Sequence, residues 1–182
     1  MSELPDGRHF FRGDHGYEQA RAQTVWNGRT PQRYPEVVVQ AVDVDDVVAA
    51  VRYARRRDLR IGVRSGGHSW AGSHVRDGGV LLDVSRLDQC TIDADAGVAV
   101  AGPGMGGSVL AGLLAEQNLF FPAGHCKGVC IGGYLLQGGY GWNSRVLGPA
   151  CESVLGLDVV TADGERLHID AEGAGALDGM AV

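Results

Sequence analysis

The strongest constraint on the fold is a glycine-rich segment, residues 64–72, that directly follows a short apolar run at residues 59–63. The apolar run predicts a strand, and three glycines among the next nine residues let the backbone turn tightly and approach a ligand closely. Successive backbone N–H groups in such a turn can form an anion-binding nest, which favours a polyphosphate ligand. His68 is the chemically distinctive side chain of this loop, so we single it out as a candidate attachment point.

Glycine is the residue type that departs most strongly from average composition. The chain has 29 glycines in 182 residues, more than double the average share of about 7%. They follow no collagen-like period and cluster between apolar runs, which favours backbone wrapped around a ligand over disorder. The net charge of −6 argues against a nucleic-acid partner.

The N-terminal residues and the cysteines predict the cellular location. Residues 1–13 are polar and lack the apolar centre of a signal peptide, and no apolar run reaches the ~20 residues of a membrane span. Four scattered cysteines are too few for a secreted disulfide framework. We therefore expect a cytoplasmic protein with reduced thiols and no membrane contact.

Periodicity predicts a mixture of helices and strands, with a βαβ unit early in the chain and hairpin-like strands late. A β-branched run at 36–40, helical apolar spacing from Val47 to Ala54 and a strand at 60–63 predict a βαβ unit. Asp43 or Asp45 is expected to cap the helix, and Ser108 to cap a second one. Further strands are predicted at 79–83, 90–93, 98–101, 119–121, 154–160 and 165–169, the last two as a hairpin around the turn at 162–164.

Three regions lack a regular pattern. Residues 1–34 predict an irregular N-terminal arm laid over the main domain, 35–170, with Tyr17, Trp26 and Asn27 as possible packing points. Residues 171–182 predict an irregular tail. A second glycine cluster, residues 123–149, has too many glycines for a regular helix, so we expect loops there.

Two other patterns have competing interpretations. Residues 102–107 match G-x-G-x-x-G between a predicted strand and helix, but a Rossmann NAD(P) site also needs a carboxylate about twenty residues further on, and residues 120–124 contain none. A turn that contacts some other dinucleotide is favoured. His125, Cys126 and Cys130 are candidate metal ligands, but no second ligand pair accompanies them, so we predict no metal site.

The remaining thiols and imidazoles are interpreted individually. Cys126 lies on a glycine loop and is either a lone nucleophile or a small buried filler. For His68 the alternative to attachment is a hydrogen-bonded loop histidine. The other cysteines (Cys90, Cys130, Cys151) are interpreted as buried fillers, and the other histidines (His9, His15, His74, His168) as surface residues.

Three stretches resemble the FAD-binding domain of the berberine-bridge-enzyme-like flavoproteins, which belong to the vanillyl-alcohol-oxidase superfamily. Residues 64–69, Arg-Ser-Gly-Gly-His-Ser, resemble that family's pyrophosphate loop. Residues 124–126, 132–133 and 137–142 resemble its second flavin loop, and residues 157–164 resemble the strand and turn on the adenine side. The resemblance covers residues 35–168.

This resemblance implies an α+β fold of the PCMH FAD-binding type, with a small parallel β/α lobe, a mainly antiparallel β lobe and FAD as cofactor. In the family, the histidine at the His68 position bonds covalently to the flavin, and in bicovalent members so does the cysteine at the Cys126 position. The implied cofactor-binding residues are Arg64, Ser65, Gly66, Gly67, His68, Ser69, Gly124, Cys126, Gly132, Gly133, Gly138, Gly139, Gly141, Trp142 and Val159.

The resemblance also implies an activity. Family members oxidise an alcohol, sugar or amine carbon and pass electrons to O₂, but they are well over twice this length, and their substrate lobe lies beyond the region that matches. We therefore expect the FAD-binding portion of an oxidoreductase that meets a small-molecule substrate in a full-length form, and we assign no catalytic acid or base. A non-catalytic remnant that binds FAD loosely is the alternative. Tyr134, where many members have histidine, and Cys130, where many have glycine, depart from the family pattern.

Overall fold

The computed structural model describes residues 3–6 and 8–176, which form two compact units. Unit 1 comprises the described parts of residues 1–64, 68–84 and 155–182, and unit 2 comprises residues 65–67 and 85–154. Among the described residues, no helix combines the length and apolarity that crossing a bilayer requires.

Unit 1 is built on a four-stranded sheet. Strands β2 (Val37–Gln40), β4 (Val80–Asp83) and β3 (Ile61–Arg64) are neighbours in that order and run parallel, and β1 (His9–Phe11) pairs antiparallel with β2 at one edge. Every residue of β4 is buried, as continuous apolar runs in parallel sheets usually are. The predicted strands at these three parallel positions are confirmed.

Helix α2 (Val44–Arg56) connects β2 to β3, so the predicted strand–helix–strand order is confirmed, although β4 lies between the two strands in the sheet. The helix begins after Asp43, whose side chain accepts a hydrogen bond from the Asp46 backbone N–H at 2.8 Å. A carboxylate at this position satisfies a free N–H group of the first turn and faces the positive end of the helix dipole. Asp43, rather than Asp45, is therefore the cap.

The prediction of an irregular segment at residues 1–34 was wrong. Strand β1 and helix α1 (Tyr17–Ala22) both lie in this segment. Tyr17 is buried, packs with Val38 in the core and donates its hydroxyl proton to the Pro35 carbonyl oxygen at 2.6 Å. With three and six residues, these elements are too short to show a periodic pattern, and they depend on tertiary contacts that the local sequence does not display.

A three-stranded antiparallel sheet completes unit 1. It consists of β7 (Gly156–Val160), β8 (Arg166–Asp170) and β9 (Gly173–Ala176), so the predicted hairpin is confirmed. Strand β9 contradicts the irregular tail predicted from Ala171, because its small residues pair with β8 through the backbone and leave no side-chain pattern. Residues 177–182 of that tail lie outside the described residues.

Unit 2 packs helices against a hairpin. Its core includes Met105, Leu110, Leu114 and Ile131. The predicted strand at 119–121 does not form: this segment has no strand partner among the described residues, and its Leu119 and Phe121 side chains pack against that core while Phe120 is exposed. The elements are β5 (Cys90–Asp93), β6 (Val98–Ala101), α3 (Gly107–Ala115), α4 (Ile131–Leu136), α5 (Ser144–Leu147) and a 3-10 helix (Ala150–Ser153).

Two further predictions in unit 2 were wrong. Helix α3 begins after Gly106 rather than at Ser108, and no side chain caps it. Helix α4 forms inside the glycine cluster that predicted only loops. A Cβ atom at Gly132 would lie 2.7 Å from Pro103 Cβ, so glycine is required there for close packing, and this packing outweighs the low helix propensity of glycine.

Candidate cofactor-binding site

The first glycine loop leaves the parallel sheet at Arg64, the last residue of β3. Arg64 Nη1 donates a hydrogen bond to Asp83 Oδ1 at 2.9 Å, and the two residues face each other across the β3–β4 ladder. A charge-assisted hydrogen bond between two largely buried side chains is stronger than a neutral one. Arg64 therefore anchors the start of the loop.

Within unit 2, residues 65–67 are held against two other segments. The Ser65 hydroxyl donates to the Pro103 carbonyl oxygen at 2.5 Å. A Cβ atom at Gly66 would lie 2.9 Å from both the Cys130 nitrogen and the Gly128 oxygen, so only glycine fits. Gly67 is buried and has a φ of 69°, which L-residues with side chains rarely adopt.

The turn at residues 102–107 joins the two glycine clusters. The Gly107 N–H donates to the Val129 carbonyl oxygen at 2.9 Å, and the Gly132 N–H donates to the Pro103 carbonyl oxygen at 3.1 Å. The turn follows β6, which pairs antiparallel with β5, whereas a Rossmann loop follows a parallel strand. The structure therefore contradicts the Rossmann NAD(P) alternative, and Pro103 is a site residue that the sequence analysis missed.

Tyr134 organises the second glycine cluster, although no site role was predicted for it. Its hydroxyl donates to the Pro122 carbonyl oxygen at 2.7 Å. Cβ atoms at Gly124, Gly139 and Gly141 would lie 3.1, 2.9 and 3.0 Å from Tyr134 atoms, so three predicted cofactor-binding glycines surround this side chain. An aromatic residue between two Gly-Gly pairs was the signal available in the sequence.

The remaining predicted positions of unit 2 lie nearer the surface. Cys126 and Cys151 are both exposed, so the interpretation as a buried filler was wrong for each of them, whereas Cys90 and Cys130 are partly buried. The ring of Trp142, which is 78% exposed, lies 4.8 Å from that of His125. No three His, Cys, Asp or Glu side chains of the described residues form a group that could hold a metal.

Two predicted glycines have different surroundings. A Cβ at Gly133 would meet nothing within 4 Å, whereas Gly138 has a φ of 88° and a Cβ there would lie 2.9 Å from the Tyr140 ring. Open space beside a backbone that carries no side chain is what a bound dinucleotide requires. The exposed Cys126 thiol adds a group able to form a covalent bond, so the residues present fit FAD.

In unit 1, His68 is half-buried and its ring contacts that of Trp26. Its imidazole ring lies parallel to the indole of Trp26, with a centroid separation of 4.7 Å and an interplanar angle of 4°. The Trp70 ring meets Trp26 edge-on at 5.3 Å. Ser69, on the same loop, and Val159, on β7, are both exposed. Trp26 was expected only as a packing point of the N-terminal arm, so its contact with His68 was not predicted.

Two other histidines depart from an ordinary surface environment. His74 is buried, which contradicts its predicted surface location, and burial lowers the pKa of its imidazole. His168 is exposed as predicted. Its Nδ1 lies 2.7 Å from Asp158 Oδ1, and this hydrogen bond raises the pKa of His168.

The fold and the glycine loops define a flavin-binding class of protein. Residues 35–170 match the family model described as the FAD binding domain, and the chain therefore belongs to this family. FAD is its cofactor, as predicted, and the α+β fold of PCMH type is confirmed.

Individual relatives are FAD-linked oxidoreductases. The FAD-linked oxidoreductase nodO of Hypoxylon pulicicidum is 45% identical over 154 residues, which are 85% of this chain and 34% of that protein. The crystal structure of 6-hydroxy-D-nicotine oxidase from Arthrobacter nicotinovorans superposes with a TM-score of 0.86 at 30% identity, covering 94% of this chain and 37% of that one. Wild-type Physcomitrella patens BBE-like 1 gives 0.80 at 30% identity, covering 91% and 36%. The chain thus spans about a third of the length of the relatives it matches.

Proposed function

We propose that this chain is the FAD-binding portion of an oxidoreductase that oxidises an alcohol, sugar or amine carbon through covalently bound flavin and passes the electrons to O₂. Beside family membership, one structural observation carries the proposal. Residues 65–67 are packed against the turn at 102–107 and the segment at 128–132, so the backbone that resembles a pyrophosphate loop already has a fixed conformation. Such preorganisation lowers the entropy cost of binding.

Each unit has its own proposed contacts to FAD. In unit 2, backbone N–H groups of residues 65–67, the open backbone at Gly133 and the Cys126 thiol would contact FAD. In unit 1, His68 would supply an imidazole nitrogen, with Ser69 and Val159 as further contacts. These assignments rest on the resemblance and on the exposure of Cys126 and the open space at Gly133.

Bound FAD supplies the two-electron redox chemistry, while the protein supplies binding and orientation. His68 and Cys126 would hold the cofactor through a ring nitrogen and a sulfur atom, which prevents its loss. The name of a similar structure, 6-hydroxy-D-nicotine oxidase, supports an amine carbon as one substrate class. The cytoplasmic location stays a prediction.

Retention of flavin through acid precipitation tests the covalent links. The 182-residue chain is purified after expression with FAD available, precipitated with acid, and analysed by flavin absorbance and intact mass. We expect the wild type to keep its flavin and the double variant His68→Ala/Cys126→Ala to lose it. Cys151→Ala removes an exposed cysteine outside the proposed contacts and is the matched control. A folded wild type with bare polypeptide mass and no binding of added FAD would refute the proposal.

FAD binding without turnover is the second candidate function. It is favoured by large apolar side chains that unit 2 exposes, since Leu136, Trp142 and Val146 are 80%, 78% and 85% exposed. Apolar groups of this kind mark surfaces that bind a further partner or segment, so under this second candidate the chain binds FAD and turnover requires that further segment. Both candidates predict saturable binding of FAD in a titration. Only the first predicts that amines, sugars or alcohols bleach the bound flavin in the absence of O₂.

A further inference from the structure

Trp26 and His68 form a parallel ring pair although 42 positions separate them in the chain. The centroids lie 4.7 Å apart and the planes differ by 4°. Trp70 supports the pair, because its ring meets the Trp26 indole at 5.3 Å and 90°. The half-buried imidazole of His68 therefore has a defined plane.

The segment that carries Trp26 is itself fastened to the His68 loop. Arg33 Nη2 donates hydrogen bonds to the carbonyl oxygens of Ala71 and Gly72 at 2.5 and 2.9 Å. Gly72 has a φ of 56°, and a Cβ atom there would lie 2.6 Å from Pro31 Cγ. Residues 26–33 thus contact the loop at His68 and again at its far end.

This segment is in turn held by a buried charge. Arg21 of helix α1 is 5% exposed, and its Nη1 donates to the carbonyl oxygens of Pro31 and Arg33 at 2.8 and 3.2 Å. A buried guanidinium bound to backbone carbonyls ties the segment firmly to the unit 1 core. The backbone that carries Trp26 is therefore tied to the core, and the Trp26 ring is oriented by its contacts with the His68 and Trp70 rings.

A stacked indole constrains an imidazole in a way that suits a nucleophile. The nitrogen lone pair that forms a new bond lies in the plane of the imidazole ring, at its edge. An indole stacked on the ring face restrains rotation about χ2 and so helps to fix that plane, while the stack itself occupies only the face of the imidazole. Orientation of reacting atoms contributes strongly to rate.

We infer that Trp26 is a positioning residue that holds the His68 imidazole in the orientation required for its bond to the flavin, an inference that rests on the function proposed above. In that bond, an imidazole nitrogen joins the methyl carbon of the flavin ring. One methyl proton and the imidazole N–H proton are released, and the two electrons left on the flavin pass to O₂.

The first test compares aromatic and non-aromatic replacements of Trp26. Apoprotein of each variant is mixed with FAD, and covalent adduct is followed by intact mass. We expect Trp26→Leu and Trp26→Gln to slow attachment by about tenfold or more and Trp26→Phe to stay within about threefold of the wild type, because a phenyl ring can still stack. Trp26 is 42% exposed, so polar replacement is compatible with folding.

The second test observes the ring pair without any flavin. Stacking on an indole shifts the His68 ring protons upfield in the NMR spectrum of the apoprotein. This shift should be present in the wild type, largely kept in Trp26→Phe and lost in Trp26→Leu. A wild-type spectrum without the shift would overturn the inference.

A third measurement separates positioning from general damage. In the His68→Ala background, where no bond to His68 can form, Trp26→Leu should leave the FAD dissociation constant within about twofold, since Trp26 acts through His68. If Trp26→Leu weakened FAD binding clearly more than twofold in the His68→Ala background, the inference would be overturned while the proposed function would stand. The same holds if the Trp26→Leu single variant attached flavin at the wild-type rate. Failure of the wild type to attach flavin through His68 would overturn the covalent function proposed above, and this inference with it.

Discussion

Arg64 and Asp83 occupy directly opposite positions on the neighbouring parallel strands β3 and β4, with Arg64 Nη1 2.9 Å from Asp83 Oδ1. Their side chains are only 16% and 9% exposed, so water screens the pair weakly. Since the chain turns from Arg64 into Ser65 and then His68, this ion pair fixes the point at which the glycine loop departs from the sheet.

Breaking that ion pair should destabilise unit 1. We expect Arg64→Met and Asp83→Asn each to lower the free energy of unfolding by about 3 kcal/mol, because each leaves a largely buried polar or charged partner unsatisfied. The double variant should lose less than the sum of the two. Urea unfolding of all four proteins measures this. The matched control is Arg55→Ala, which removes a surface ion pair with Asp163 and should cost less than about 1 kcal/mol.

Adjacent glycines of helix α4 should respond to alanine with opposite signs. A Cβ atom at Gly132 would lie 2.7 Å from Pro103 Cβ and 2.9 Å from its carbonyl oxygen, so Gly132→Ala should lower the free energy of unfolding by about 1–3 kcal/mol through overpacking. A Cβ at Gly133 meets nothing within 4 Å, so Gly133→Ala should raise it by up to about 1 kcal/mol through helix propensity. Thermal unfolding of the two variants and the wild type measures these changes in stability. Equal changes in Gly132→Ala and Gly133→Ala would contradict the packing of Gly132 on Pro103.

The parallel strands and the two glycine-rich segments could be recognised from sequence because their signals are local. Residues 37–39 and 80–82 are continuous apolar runs, and the loop at 64–69 carries its glycines and histidine within six residues. Asp43 likewise precedes its helix directly. Each of these features combines a residue type with a short spacing, which periodicity and motif analysis detect.

The positioning of the site could not be predicted because it depends on contacts distant in sequence. Trp26 reaches His68, and Ser65 reaches Pro103, yet neither partner is adjacent in the chain. Helix α4 forms because Gly132 packs on Pro103, in opposition to its local propensity. Such tertiary contacts override local preference and leave no periodic signal in one sequence.

Tyr134 should contribute to stability through its ring more than through its hydroxyl. Tyr134→Phe removes one hydrogen bond to the Pro122 carbonyl oxygen and should cost about 1 kcal/mol. Tyr134→Ala empties the space bordered by the surrounding glycines and should cost about 3 kcal/mol. FAD affinity, measured by titration, should fall in the alanine variant alone. Tyr140→Ala, at a residue 69% exposed, is the control and should change stability by less than about 0.5 kcal/mol.

His74 should make unit 1 less stable as the pH falls. Burial lowers the pKa of its imidazole below the ordinary value of 6.5, and its Nε2 is buried with no hydrogen-bond partner among the described residues. Between the folded pKa and 6.5, the unfolded chain binds more protons than the folded one, so the stabilising contribution is complete above that interval and is lost as the pH falls through it. We expect the wild type to lose unfolding free energy over this range more steeply than His74→Gln, which does not titrate.

His168 provides a control, because its effect on the free energy of unfolding should change with pH in the opposite direction to that of His74. Its hydrogen bond to Asp158 raises the pKa of the imidazole above 6.5, so the folded state binds the proton more tightly, and the contribution is present below 6.5 and lost as the pH rises through the folded pKa. Relative to the wild type, His168→Gln should therefore be less stable at acidic pH and equal to it at alkaline pH. Urea unfolding of the three proteins across the pH range separates the two effects. A His74→Gln profile parallel to that of the wild type would show that the buried imidazole carries no pH dependence.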